Sequence, residues 1–352
     1  MPEKVLMKGN EALAEAAIAA GCKHFFGYPI TPQNELTAHM SKRLPKIGGT
    51  YLQAESELAA INMVLGASAA GVRAMTSSSS PGISLKSEGF SYLAGSDLPA
   101  VIVNVQRAGP GLGGIQPSQA DYWQATRASG HGDFKMLVFA PSTVQEMVDL
   151  VADAFDLGDK YRMPALILSD GLLGQMMEPV VMETKKANVP EKPWAACGHE
   201  GKRKHNIVNS LYIDPPHLEA VIKARFEKYA KIQETEQRFE GYKADDADIT
   251  LVAYGASARV SRSAVDAARK EGIKAGLIRP ITLWPFPDKA ISAAAKRTKA
   301  FLCVEMSMGQ MVDDVRLIVN GKRDVRFFGR TGGMVPTPAE VLNEIKKIKG
   351  GL

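Results

Sequence analysis

The chain of 352 residues contains only three cysteines, Cys22, Cys197 and Cys303, and no two of them form a C-x-x-C pair. The usual ligand spacing of an iron–sulfur cluster is therefore missing, and so sparse a set argues against a secreted disulfide scaffold. Long hydrophobic runs are also lacking. The longest nearly apolar stretch, residues 58–72, is interrupted by polar residues and is shorter than the ~20 residues that span a bilayer. We expect a reducing, cytoplasmic location.

An excess of charge of one sign is absent as well. The formal net charge is +5, and no basic cluster of the kind that binds nucleic acid stands out. With 45% hydrophobic and 23% charged residues, the composition is that of an ordinary soluble globular protein. The length suggests two domains, at roughly 100–200 residues each.

Predicted helices and strands alternate over residues 1–184 and again over residues 247–352, which favours two α/β domains with mainly parallel sheets. The intervening segment, residues 185–246, is more charged than the rest, with 22 charged residues among 62. We interpret it as a linker that contains one amphipathic helix, because Asp214 and Pro215 form a typical helix start.

Loops that follow predicted strands are the first place to search for a site, since ligands of doubly wound sheets bind at the carboxyl ends of strands. Residues 27–32 (Gly-Tyr-Pro-Ile-Thr-Pro) form a rigid loop that places the Thr31 hydroxyl beside the amides of a helix start. Such a place suits an anion. The alternative is that Thr31 only caps the helix.

Glu57 and Arg107 are the charged candidates. Glu57 lies where residues 53–57 (Gln-Ala-Glu-Ser-Glu) enter an apolar helix, so burial could prepare its carboxylate for proton transfer. The alternative is an ordinary first-turn acid that favours the helix dipole. Arg107 follows an apolar strand and precedes several glycines, which suits recognition of a carboxylate by two hydrogen bonds. The alternative is a structural ion pair.

In this order, the strings at 27–32 and 53–57 and Gln106-Arg107 before glycines resemble the alpha subunit of the 2-oxoacid:ferredoxin oxidoreductases. The resemblance covers nearly the whole chain and includes the strings at 278–280 and 304–310. It implies a doubly wound thiamine-diphosphate-binding domain of the pyrimidine type at residues 1–184. It also implies a transketolase-C-terminal-like α/β domain at residues 247–352.

The resemblance further implies thiamine diphosphate as the cofactor and assigns roles to five residues. Glu57 matches the catalytic glutamate that hydrogen-bonds the ring nitrogen of the cofactor's aminopyrimidine. Pro29 and Ile30 belong to the loop that also contacts the cofactor. Thr31 and Arg107 match the positions that hold the carboxylate of the substrate.

Two absences, that of a diphosphate-binding motif and that of cluster cysteines, agree with the resemblance and imply that the chain is active only in a hetero-oligomer. Thiamine enzymes hold the diphosphate and Mg²⁺ through a Gly-Asp-Gly motif with a downstream Asn, and the nearest string here is Ser169-Asp170-Gly171 without a suitable Asn. We predict no metal site in this chain, because Cys197, His199 and His205 lack a fourth ligand. A beta subunit that shares thiamine diphosphate and holds Mg²⁺ is implied. Iron–sulfur clusters are implied on partners, namely gamma and ferredoxin-like delta subunits or their equivalents. Neither nucleic acid nor membrane is expected as a partner.

The string at 111–117 (Gly-Leu-Gly-Gly-Ile-Gln-Pro) resembles the branched-chain, or 2-oxoisovalerate, branch of the family. The implied reaction is oxidative decarboxylation of a 2-oxoacid, here 3-methyl-2-oxobutanoate, to acyl-CoA and carbon dioxide, with electrons passed to ferredoxin. The alternatives are a 2-oxoglutarate:ferredoxin oxidoreductase alpha subunit and a non-catalytic scaffolding paralogue. A nucleotide-binding dehydrogenase also fits the α/β pattern but lacks the glycine fingerprint.

Overall fold

The structure is a computed structural model that describes residues 3–127, 129–182, 187 and 189–351. Two sheets covered by helices form the molecule, which confirms the predicted α/β class. The strands are β1 Lys4–Lys8, β2 His24–Gly27, β3 Thr50–Gln53, β4 Ala74–Ser78, β5 Val101–Gln106, β6 Leu137–Phe139, β7 Ala165–Asp170, β8 Met177–Val181, β9 Phe239–Tyr242, β10 Ile249–Val252, β11 Ala275–Pro280, β12 Thr282–Trp284, β13 Ala300–Glu305 and β14 Asp324–Gly329.

The helices connect these strands in the order expected of doubly wound sheets. They are α1 Gly9–Ala19, α2 Asn34–Arg43, α3 Glu57–Ala69, α4 Ser80–Gly95, α5 Tyr122–Thr126, α6 Val144–Tyr161, α7 Gly171–Gln175, α8 Pro215–Thr235, α9 Gly255–Lys270, α10 Asp288–Ala295, α11 Met311–Val319 and α12 Pro338–Gly350. A short 3-10 helix spans Leu44–Ile47. Helix α12 begins with a complete start signal, in which Thr337 is the N-cap, Pro338 follows at N1 and Glu340 completes the capping box.

The first sheet has seven strands in the order β12-β6-β7-β5-β4-β2-β3. Six of them are parallel, and β12 pairs antiparallel with β6. All residues of β4, β5 and β7 are buried, as expected for parallel strands covered by helices on both faces. β1 and β8 form a separate antiparallel pair.

The second sheet has five strands in the order β14-β13-β10-β11-β9, with β9 antiparallel to β11. Its first strand in the chain, β9, lies inside the segment expected to be a linker. Conversely, β12 comes from the second half of the chain and joins the first sheet. The domain limits at 184 and 247 stay a prediction. The linker segment adds a strand to the second sheet, and one strand of the second half joins the first sheet.

Helix α8 anchors the charged segment. It begins at the predicted Pro215, and Asp214 accepts a hydrogen bond from the amide of His217 as its N-cap. By helical spacing Phe226, Tyr229 and Ile232 fall on one face of α8. Tyr229 and Ile232 are buried there, whereas Phe226 is 42% exposed. Among the described residues, no helix combines the length and apolarity that a bilayer-spanning segment requires.

Candidate functional site

The first sheet has a topological switch point between β2 and β4. The chain leaves β2 toward β3 on one side, and it leaves β4 toward β5 on the other. Crevices at such points, beyond the carboxyl ends of the strands, are the usual ligand sites of this fold. The Ser77 hydroxyl donates to Gln33 Oε1 at 2.6 Å and thereby ties the end of β4 to the loop that follows β2.

Glu57 is the first residue of α3, one residue after the N-cap Ser56, whose hydroxyl accepts from the amide of Ala59 at 3.2 Å. Glu57 is 6% exposed. Its carboxylate accepts no hydrogen bond from the residues that the structure describes. An ordinary first-turn acid that favours the helix dipole would be exposed. A buried carboxylate that can still accept hydrogen bonds is instead suited to a ligand that donates one.

The carboxylate of Glu57 lies against the start of α4. A Cβ atom on Gly82 would meet Glu57 Oε1 at 2.5 Å and the Ser78 hydroxyl at 2.1 Å. Only glycine therefore allows this approach. The hydroxyls of Ser78 and Ser79 are buried and have no partner in the described part of the chain. Polar atoms with unused hydrogen-bonding capacity thus surround Glu57 at the end of β4.

Arg107 follows β5 and reaches across the crevice to the loop after β2. Its Nη1 donates to the Thr31 carbonyl at 3.0 Å, and its Nη2 donates to the Leu112 carbonyl at 3.1 Å. The side chain is buried, and Nε has no partner among the described residues. No described carboxylate forms an ion pair with this guanidinium, so the structure does not support the alternative of a structural ion pair. A buried, uncompensated cation favours an anionic ligand.

Thr31 does not cap the next helix. Helix α2 begins at Asn34 without a side-chain cap, and the Thr31 hydroxyl instead accepts from Asn34 Nδ2 at 3.3 Å. The structure joins Thr31 and Arg107 through the main chain but opens them to different cavities. Arg107 lines a cavity of about 690 Å³, and Thr31 lines a neighbouring one of about 600 Å³.

Pro29 is exposed and Ile30 is half-buried in the loop after β2. This loop and the Glu57 segment begin side by side, because Gly27 and Gln53 end paired strands. Pro29 and Ile30 thus follow one strand end and the buried Glu57 follows its neighbour.

A polar cluster beside Arg107 was not anticipated from the sequence. Asp121 Oδ2 accepts from the Ser80 hydroxyl at 2.6 Å and from Asn104 Nδ2 at 2.8 Å, and the Ser80 hydroxyl accepts from the Arg107 amide. Burial raises the pKa of Asp121, and the two hydrogen bonds oppose that rise. Ser80 begins α4, Asn104 lies in β5 and Asp121 precedes α5, and no sequence motif signals that these three residues meet. The cluster fixes the main chain at Arg107.

The second sheet has its own switch point between β10 and β13, but a side chain of the first domain fills it. Gln119 Nε2 donates to the Tyr254 carbonyl at 2.8 Å. Its Oε1 accepts from the Ser257 hydroxyl at 2.6 Å and from the Met306 amide at 3.0 Å. The crevice that a dinucleotide would need in this sheet is therefore taken by Gln119, which disfavours the dehydrogenase alternative.

The string at 304–310 joins the two halves of the molecule. Glu305 is buried and accepts from the amides of Gln310, Met311 and Val312, so it caps α11. Burial raises the pKa of Glu305, although these hydrogen bonds oppose that rise. The side chain of Gln310 in turn bonds the Ala120 carbonyl at 2.7 Å. This contact closes one wall of the Arg107 cavity, which Met308 and Thr331 also line.

Asp170 belongs to Ser169-Asp170-Gly171, the string most similar to a diphosphate-binding motif, but its carboxylate caps a helix. It is 1% exposed, and its Oδ1 accepts from the amides of Leu172 and Leu173 as the N-cap of α7. Burial raises its pKa to about 6, although these amides and the Ala256 amide oppose that change. A buried capping residue is not free to coordinate a diphosphate-bound metal. No three metal-ligating side chains cluster anywhere among the described residues.

A third cavity, of about 700 Å³, lies between the two halves and is lined by paired charges. Arg279 Nη2 lies 2.6 Å from Glu146 Oε1, and Arg259 Nη2 lies 2.8 Å from Glu178 Oε1. The charges compensate one another and leave none to attract a ligand.

Comparison with known sequence families gives two matches that together cover most of the chain. Residues 15–249 match the family described as pyruvate flavodoxin/ferredoxin oxidoreductase, thiamine diphosphate-binding. Residues 247–341 match core domain II of pyruvate:ferredoxin oxidoreductase.

Individual relatives agree. The chain is 51% identical to the ketoisovalerate oxidoreductase subunit VorB of Methanothermobacter marburgensis, over 98% of both chains. It is 37% identical to the 2-oxoglutarate synthase subunit KorA of the same organism, over 99% of this chain and 100% of that one.

Solved structures show the same architecture. The 2-oxoglutarate:ferredoxin oxidoreductase of Magnetococcus marinus superposes with a TM-score of 0.85 at 27% identity. The match covers 98% of this chain but only 65% of that one. A split-gene transketolase, 14% identical, shares the fold with a TM-score of 0.58 over 99% of this chain and 98% of its own. The resemblance read from the loop motifs is confirmed.

Proposed function

The chain belongs to the 2-oxoacid:ferredoxin oxidoreductase family, and we propose that it is the alpha subunit that holds the aminopyrimidine of thiamine diphosphate through Glu57. The observation that carries this proposal is the buried Glu57 carboxylate, which lies at the switch point of the sheet with unused acceptor capacity. The thiamine diphosphate-binding family that matches residues 15–249 includes this position.

The residues present fit the ring of this cofactor. A protonated ring nitrogen donates one hydrogen bond, and the Glu57 carboxylate can accept it without breaking any bond within the described chain. The loop with Pro29 and Ile30 begins at the neighbouring strand end and lies within reach of the same crevice. When bound, thiamine diphosphate supplies a nucleophilic carbon and an electron sink for decarboxylation.

The chain itself supplies a proton acceptor and an anion site. The Glu57 carboxylate accepts a hydrogen bond from the protonated ring nitrogen and so keeps the proton there. A charge-assisted hydrogen bond of this kind contributes about 1.5–3 kcal/mol. Arg107 attracts the carboxylate of the 2-oxoacid, with Thr31 as the neighbouring hydroxyl donor. Both residues orient the substrate before the carbon–carbon bond breaks. Asp121, Ser80 and Asn104 keep the main chain of Arg107 in place.

We expect a beta subunit to bind the diphosphate and its Mg²⁺, because Asp170 of this chain is buried as a helix cap. Helices α3 and α4 offer the docking surface for it. Leu58, Met63 and Leu85 are 47%, 37% and 57% exposed on these helices, next to Glu57. A helix such as α3 that is apolar on all sides is normally covered on all sides. Gamma and delta subunits or equivalents would carry the iron–sulfur clusters and pass electrons to ferredoxin, with coenzyme A as the acyl acceptor.

The proposed substrate is 3-methyl-2-oxobutanoate. The 51% identity to a ketoisovalerate oxidoreductase subunit supports this choice over 2-oxoglutarate. Leu112 and Ile115 follow Arg107 and are exposed, and Ile115 lines the cavity of Thr31. No second cation lines the Arg107 cavity to hold another carboxylate. Apolar pockets separate substrates that differ by one methylene only ~10–200-fold, so related branched 2-oxoacids should also react. Three unpaired cysteines support a reducing, cytoplasmic location.

The test is E57A in the complex co-purified with its native partners, with E55A as the matched control. Glu55 is an exposed acid two residues earlier in the same loop. We expect E57A to abolish reduction of a viologen dye by 3-methyl-2-oxobutanoate and coenzyme A while the complex still assembles. E55A should retain nearly full turnover. Normal turnover in E57A would contradict the proposal, and an assembled complex that never binds thiamine diphosphate would support a scaffolding paralogue.

A further inference from the structure

Lys86 is a fully buried lysine beside Glu57 that no feature of the sequence singled out. It lies on α4 with 0% exposure. Its Nζ donates to the main-chain carbonyl of Glu57 at 3.2 Å. Lysine is almost never fully buried unless its charge is paired, so a buried ammonium bound to a carbonyl requires a reason.

The position of Lys86 on α4 places it between two close contacts with α3. Gly82, Lys86 and Gly89 are spaced by four and three residues, which puts them on one helical face. A Cβ atom on Gly82 would meet Glu57 Oε1 at 2.5 Å, and one on Gly89 would meet Ile61 Cγ1 at 2.4 Å. The two glycines therefore bring α4 tightly against the first turns of α3, and Lys86 lies in that contact.

The charge of Lys86 acts on Glu57. Burial lowers the pKa of Lys86 to about 8, and the negative charge of Glu57 acts in the opposite direction. Lys86 donates to the Glu57 carbonyl, and its ammonium forms no described hydrogen bond with the Glu57 carboxylate. The carboxylate is therefore stabilised by a nearby cation while its oxygens stay available to a ligand.

Other charges around α3 do not substitute for Lys86. Strand β4, Ala74–Ser78, contains no charged residue. On β2 the titratable residue is His24, which lies at the amino end, opposite to Glu57. On α4, Glu88 is exposed and accepts a hydrogen bond from the Tyr92 hydroxyl.

We propose that Lys86 is a positioning residue for Glu57, which fixes the first turn of α3 through the Glu57 carbonyl and places a positive charge beside the adjacent carboxylate. The proposal rests on the proposed function of Glu57. A carboxylate held in place accepts the hydrogen bond of the ring nitrogen at once, without reorganisation of the helix.

The test compares K86M with K86R and with the matched control K192M in the assembled complex. Methionine keeps the length and apolar stem of lysine. K192M removes another buried ammonium, which lies 2.6 Å from Asp159 Oδ1. The readouts are kcat and KM against pH, the affinity of the cofactor-depleted complex for thiamine diphosphate by calorimetry, and thermal unfolding.

For K86M we expect kcat and thiamine diphosphate affinity to fall about 10- to 100-fold, the range of one charge-assisted interaction, with little change in the KM of the 2-oxoacid. The pH–kcat profile should also change, because a cation beside the site is lost. K86R should restore the profile, and K192M should move only the unfolding temperature.

An unchanged pH profile and cofactor affinity in K86M would overturn the proposal, as would equal effects of K86M and K192M. The result for K86M can be distinguished from the result for E57A, which tests the proposed function. If E57A is inactive while K86M behaves as wild type, Lys86 has no positioning role and the function of Glu57 stands. If E57A is fully active, both fail.

Discussion

Substitution of Gln119 by alanine should loosen the junction between the two sheets. The side chain makes three buried hydrogen bonds, to Tyr254, Ser257 and Met306, all from the second half of the chain. Two contacts of the Gln119 main chain survive the change: its amide donates to the Met306 carbonyl, and its carbonyl accepts from the Tyr254 hydroxyl. The substitution therefore isolates the side chain.

The magnitude follows from the groups left without partners. A buried polar group that loses its hydrogen bond costs about 1–3 kcal/mol, so three groups cost about 3–9 kcal/mol. Water that enters the vacated space recovers part of this loss, which leaves about 3–6 kcal/mol. Typical domains have only about 5–15 kcal/mol of stability, so we expect the second sheet to unfold at a distinctly lower urea concentration than the first.

Urea unfolding of the purified chain, followed by far-ultraviolet circular dichroism and tryptophan fluorescence, measures this change. Q233A is the matched control, because Gln233 is exposed on α8 and its side chain makes no described hydrogen bond. We expect wild type and Q233A to behave alike and Q119A to show an early, separate transition. A shift of less than about 1 kcal/mol relative to Q233A would refute the assignment of Gln119 as the link, since that is the worth of a single exchanged hydrogen bond.

Two further predictions concern Asp170 and Arg107. Burial raises the pKa of Asp170 from 3.8 to about 6, so the folded chain binds its proton more tightly than the unfolded chain. Its contribution to stability is then largest below about pH 4 and falls by about 3 kcal/mol as the pH rises through 6. D170N should flatten this slope in urea titrations at several pH values, and an unchanged slope would contradict it. R107K removes the two-armed contact with the carbonyls of Thr31 and Leu112. The KM for the 2-oxoacid should rise about tenfold or more with a smaller change in kcat, whereas equal KM values would exclude Arg107 from substrate binding.

The sequence predicted the sheet class because the buried parallel strands are nearly continuous apolar runs. The short runs Ala275–Ile278 and Val325–Phe328, for example, lie within the strands Ala275–Pro280 and Asp324–Gly329. The pairing of Thr282–Trp284 with the first sheet was not predictable in this way. Three residues carry too weak a pattern to show which of two sheets they join, and this choice depends on packing between the halves.

Single residues of the candidate site were predictable where a distinctive local string marks them. Contacts between segments distant in sequence were not predictable. Glu57, Thr31 and Arg107 each follow a strand within a distinctive string, so their common edge of the sheet could be expected. Lys86 gave no signal, because a lysine between a leucine and a serine in an amphipathic helix is typical of an exposed face. Its burial depends on Gly82 and Gly89, whose missing side chains bring α4 onto α3. The Asp121 cluster likewise depends on three segments distant in sequence.

The crevices at the two switch points differ in whether their polar groups have partners, and this difference explains why one chain would provide half of a ligand site. The crevice of the second sheet is filled by Gln119, which satisfies the polar groups that a ligand would otherwise meet. The crevice of the first sheet is left with a buried carboxylate and the unpaired hydroxyls of Ser78 and Ser79. Buried polar atoms without partners cost stability, so their retention beside the exposed apolar faces of α3 and α4 is best accounted for by a ligand and a partner that cover both together.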